Sequence, residues 1–141
     1  MESSSPVAVL VVANRTAATG ALLDAVRARV ASGPATFTLL VPRSAHGLHR
    51  VVDPEDQSDD EALQTLALAL PLLEEAAGSK VEGKVGDAEP LAAIEDAVNT
   101  GAYSEIILST LPATVSRWLK LDLPSKVSGL GLPLTTITAR G

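Results

Sequence analysis

The segment Val7–Ala13 reads VAVLVVA and holds no polar residue. Valine at most of these positions favours extended backbone, because two heavy atoms on Cβ crowd a helix. A strand with no polar face has no side to offer water. It must be covered on both faces and paired on both edges, as a central strand of a parallel sheet is. The run is too short to cross a bilayer. The remaining chain therefore has to supply neighbouring strands and covering helices.

It does so in alternation. A helix is predicted from about Thr16 to Ala31, with Leu22, Leu23, Val26 and Val30 at helical spacing and Arg27 and Arg29 near its end. Gly33-Pro34 stops it, and Thr36–Val41 is a second strand closed by Pro42. A polar loop, Arg43–Asp60, carries both histidines. A second helix is expected from about Asp60 to Ala77, with Leu63, Leu66, Leu70 and Leu73 on one stripe and Pro71 as a kink. Val81–Val85 is a third strand. A third helix begins at Glu89-Pro90, buries Leu91, Ile94 and Val98, and ends at Gly101. Glu105–Ser109 is a fourth strand, a helix lies within Val115–Val127, and Pro133–Ala139 is a fifth strand.

Strands separated by helices imply right-handed crossovers and a doubly wound parallel sheet. The predicted fold is a three-layer Rossmann-like α/β domain. Its open five-stranded sheet has the order 3-2-1-4-5, with two helices on each face. With 141 residues, 46% of them hydrophobic, one domain fills the chain.

Composition narrows the chemistry. The chain has no cysteine, which excludes thiol catalysis, thiolate metal sites and disulfide scaffolds. A net charge of -6 repels phosphate backbones and anionic lipid, so neither nucleic acid nor a membrane is an expected partner. Aromatics are only Phe37, Tyr103 and Trp118, too few for base-stacking platforms. Trp118 either packs on the sheet, as a lone tryptophan ordinarily does, or flanks a ligand. Met1-Glu2 and the serines after it lack a positive leader segment, and a cytoplasmic location is expected.

Ligands of open α/β sheets sit beyond the carboxyl ends of the strands, at the switch point. Asn14, Thr16, Thr19, Ser109 and Thr110 bring short polar side chains to two ends that should be adjacent. They either cap helices and turns or meet a small anion at a helix N-terminus. His46 and His49 form H-x-x-H, which is short of the ligands a metal site needs. The acids Asp53, Glu55, Asp56, Asp59, Asp60 and Glu61 read as a solvated entrance to the second helix. No serine nucleophile elbow, Walker loop or dinucleotide fingerprint occurs. A receiver domain is excluded, since no acidic pair follows the first strand and no lysine the last. Thr16-Ala17-Ala18-Thr19-Gly20 is loosely similar to a flavodoxin loop. A flavodoxin-like redox carrier is therefore an alternative, although it lacks aromatic walls for a flavin ring.

The order of the elements, the chain length and three stretches together resemble the universal stress protein family over nearly the whole chain. The stretches are Val81–Leu91 (VEGKVGDAEPL), Ser104–Thr110 (SEIILST) and Pro133–Ile137 (PLTTI). Asn14 stands where ATP-binding members place an aspartate, and Val41 where a backbone group meets adenine. Gly86 matches the glycine after the third strand. The match fails at the phosphate motif, G-x-x-G followed by G-S or G-T. Ser109-Thr110-Leu111-Pro112 and Pro124-Ser125 stand there instead. Glycine lets backbone N–H groups approach phosphate, and proline has no N–H to offer.

The resemblance implies a dimeric, non-enzymatic stress-response module with a degenerate nucleotide pocket. Its candidate ligand residues are Asn14, Thr16, Val41, Gly86, Ser109, Thr110, Ser116, Arg117 and Ser125, and no catalytic or metal-ligating residue is assigned. A small anion is the expected ligand, and ATP or another adenine nucleotide with Mg²⁺ is the one cofactor candidate. In an ATP-binding alternative, with weak or no hydrolysis, the hydroxyls and Arg117 replace the glycine loop. The strand Pro133–Ala139 has no charge and no proline after Pro133, and its open edge suits pairing with a second copy.

Overall fold

The computed structural model describes residues 6–14, 16–43, 54–112 and 116–138, with the side chains of the second helix described from residue 61 onward. Five parallel strands form one sheet: β1 (Val7–Val12), β2 (Ala35–Pro42), β3 (Val81–Gly86), β4 (Glu105–Thr110) and β5 (Leu134–Thr138). Their order is β3-β2-β1-β4-β5, as expected from the alternation. β1 is central. Val9 lies opposite Phe37 on β2 and Glu105 on β4, and the register continues so to Val12, opposite Leu40 and Leu108. The order excludes the flavodoxin alternative, whose sheet runs 2-1-3-4-5.

The two faces of β1 feed two cores. Val9 and Val11 point toward α1 (Gly20–Ala31) and α2 (Pro54–Ala77), while Leu10 and Val12 point toward α3 (Pro90–Thr100), α4 (Arg117–Lys120) and α5 (Leu123–Ser128). Leu22 and Val26 of α1, Leu73 of α2 and Ile94 of α3 are buried on their respective faces. Trp118 joins the second core, in line with the packing role. The Arg29 guanidinium, in the last turn of α1, donates to Glu105 at 2.9 Å and ties that turn to the start of β4.

Three details differ from the sequence reading. The second helix starts at Pro54 rather than near Asp60. Proline suits a first turn, and acids there favour the positive end of the dipole, so a stretch that reads as loop begins a helix. Leu63 lies outside the buried stripe and is 54% exposed, because Ala62, Leu66, Ala69 and Leu73 centre the stripe away from it. Pro71 lies inside this helix, as the sequence reading places it; it is exposed, as is Ala67, whose carbonyl loses its donor. The predicted helix within Val115–Val127 is two short helices, broken at Asp122, whose φ of 59° is left-handed. Aspartate tolerates that conformation better than most residues do.

His46, His49, Asp53, Ala139 and Arg140 lie outside the described residues. Among the described residues, no helix is long and apolar enough to cross a membrane.

Candidate functional site

β1 has β2 on one side and β4 on the other, and the connections leave it in opposite directions. The carboxyl ends of β1 and β4 therefore lie side by side with a crevice between the departing loops. Polar residues collect there. Thr16, Ser109, Thr110 and Ser116 are all buried, and with Thr38 they are the buried polar side chains among the described residues.

Two of them are joined directly. Thr16 Oγ1 donates to the Ser109 carbonyl at 3.2 Å and lies 2.6 Å from Ser109 Oγ. Both contacts are satisfied together when the Ser109 hydroxyl donates to Thr16 Oγ1 and Thr16 donates onward to the carbonyl. The pair links the loop after β1 to the end of β4, 93 residues away in sequence. Thr16 is thus not a helix cap.

Thr19 holds the N-cap position of α1 yet does not cap it either. Its hydroxyl instead donates to the Thr16 carbonyl at 2.9 Å and makes no capping bond to the helix. The leading N–H groups of a helix find no partner within it, and its start favours a negative charge.

Thr110 takes the opposite face of β4, since Ile106 and Leu108 face the second core and alternation carries Thr110 with them. It is 2% exposed, and its Oγ1 has no hydrogen-bond partner among the described residues. A buried hydroxyl without a partner costs about 1–3 kcal/mol, so such groups call for an explanation.

The other candidates fall into place less closely. The Asn14 carbonyl accepts from the Ala17 N–H at 3.1 Å, forming the turn into α1. Val41 is buried in the first core beside Val85, which leaves only its backbone to meet a ligand. Gly86 is a packing glycine: a Cβ there would come within 2.8 Å of Ala93 Cβ and 2.9 Å of a Leu40 methyl. Its carbonyl accepts from both the backbone and the guanidinium of Arg43, a contact the sequence gives no sign of beyond Arg43 following β2. Ser116 caps α4 by accepting from the Leu119 N–H at 3.1 Å. Arg117 is exposed on α4. Ser125 is exposed within the first turn of α5, after Pro124, rather than in an open phosphate loop. Among the described residues, no group of three or more acids or histidines is placed to hold a metal ion.

In sequence, no family model matches the chain and no curated protein does. In structure, the likeness is extensive. A universal stress protein from Archaeoglobus fulgidus superposes with a TM-score of 0.63 at 17% identity, covering 93% of each chain. The chain has the universal stress protein fold. A second protein of this fold, crystallised with cAMP, gives a TM-score of 0.66 at 13% identity and covers 97% of this chain and 100% of its own. The Archaeoglobus fulgidus protein in complex with dAMP gives 0.55 at 18% identity, over 94% and 98%.

The hydroxyl pair makes a definite prediction. Thr16→Val leaves Ser109 Oγ buried without its partner and should cost about 1–3 kcal/mol in urea unfolding. The double variant with Ser109→Ala should cost at least about 0.5 kcal/mol less than the sum of the single changes. Additive losses would mean that the two hydroxyls do not act together.

Proposed function

We propose that this protein is a non-enzymatic stress-response module that binds an adenine mononucleotide at the β1/β4 crossover. The observation that carries this reading is the uncapped start of α1 beside the buried hydroxyls of Thr16 and Ser109. N–H groups without acceptors at a helix N-terminus suit one phosphate. Two proteins of this fold were crystallised with cAMP and dAMP, each with a single phosphate. These features fit a monophosphate.

They fit a triphosphate poorly. A long phosphate chain needs successive backbone N–H groups in a glycine loop, whereas here Pro112 ends the β4 turn and Pro124 opens α5. A non-enzymatic role is supported by the absence from the sequence of a nucleophile motif. A cytoplasmic location remains part of the proposal.

Calorimetry with AMP, cAMP and ATP, with and without Mg²⁺, tests the reading. ATP should bind no better than roughly millimolar, about 4 kcal/mol, and no better than AMP. Arg117→Ala should weaken ATP more than adenosine, because a guanidinium acts through phosphate. Micromolar ATP affinity would contradict the proposal.

The same reading includes a homodimer through β5. The two sheet edges differ in chemistry: β3 carries Glu82 and Lys84, whereas β5 carries no charge. Charges on an edge strand discourage pairing, and an uncharged edge invites it. Thr135, Thr136 and Thr138 are exposed along it. A two-fold pairing of β5 would close the edge without further growth. Sedimentation should show a species of twice the 14.5 kDa chain mass, and Thr136→Pro should split it by removing a ladder donor. A single species at the chain mass at tens of micromolar would sink the dimer.

A further inference from the structure

A second cavity lies away from the β1/β4 crevice, between the first turns of α3 and the α4–α5 pair. Its volume is about 270 Å³, below the usual range for drug-sized ligands and suited to a smaller molecule. Leu91 of α3 and Trp118 and Leu123 of the facing helices give it apolar walls, and Leu121 stands beside them 46% exposed.

Charge is placed on these walls in a regular way. Leu91 and Glu95 are four residues apart on α3, so they share a face of that helix. Leu123 and Lys126 are three apart on α5 and do the same. Each wall thus carries an apolar side chain with a charged one a turn beyond, and the charges have opposite sign. Glu95 and Lys126 are exposed and form no ion pair with each other or with another described residue. Glu89, also at the cavity, is committed elsewhere: its carboxylate accepts from the Leu91 N–H at 3.0 Å and caps α3.

We propose that this cavity binds a free apolar α-amino acid. The side chain packs on Leu91, Trp118 and Leu123, the ammonium meets Glu95, and the carboxylate meets Lys126. A ligand with both charges uses both walls, whereas one with a single charge leaves Glu95 or Lys126 facing an uncharged or repelling end. The aromatic wall favours a phenyl or branched aliphatic side chain, through burial of apolar area.

Trp118 is the one tryptophan in the chain, so its emission reports on this cavity. L-Phenylalanine should change that emission in a saturable way. Phenethylamine, which lacks the carboxylate, and hydrocinnamate, which lacks the ammonium, should each bind more weakly by about two- to fivefold, the effect of one lost exposed charge contact. Glycine, without an apolar side chain, should give no change. Glu95→Gln should weaken phenylalanine about two- to fivefold and leave hydrocinnamate no weaker. Glu95 is exposed, so the fold should persist. Absence of a saturable change up to tens of millimolar phenylalanine, or equal binding of hydrocinnamate or phenethylamine, would overturn the proposal.

Discussion

β1 has to be enclosed on all sides, and much of the structure follows from that. Val9 through Ala13 are essentially inaccessible to solvent, so each backbone N–H and C=O there needs a partner in a neighbouring strand. β2 and β4 supply those partners on the two edges. Because both are parallel to β1, each is reached through a crossover helix, and the helices cover the two faces that the valines and Leu10 present. The chain winds to one side of β1 and then to the other. That reversal opens the crevice where Thr16, Ser109 and the start of α1 meet. The site is thus a consequence of how the central strand is buried.

What the crevice can bind depends on which groups replace a glycine loop. Glycines would let backbone N–H groups surround several phosphates in succession. Here the end of β4 presents hydroxyls, and one of them is already engaged across the crevice by Thr16. A hydroxyl pair and a single helix N-terminus can neutralise little charge, which matches one phosphate better than three. The Pro112 carbonyl also accepts from the Ser116 N–H, at the N-cap of α4, at 2.8 Å.

Much of this was legible in the sequence where periodicity governs. The unbroken apolar run of β1 and the helical spacing of Leu22, Val26 and Ile94 announce their burial directly. The adjacency of Asn14 and Thr16 to Ser109 and Thr110 followed from the switch-point rule, and the Thr16–Ser109 bond bears out that the two ends meet. Other features depend on tertiary neighbours and could not be read. That Gly86 must also be small because of Ala93 and Leu40 is one of them. The start of α2 was hidden by acids that resemble a loop. The split between α4 and α5 had a sign in Pro124, which belongs in a first turn and not in the interior of one longer helix.

The most direct test of the crevice as a ligand site is an amide-resolved NMR titration with AMP. The account predicts that the largest shifts fall on Thr16, Gly20, Ala21 and Leu22 at the start of α1 and on Ser109 and Thr110 at the end of β4. Shifts confined to other elements, or none at millimolar AMP, would contradict it.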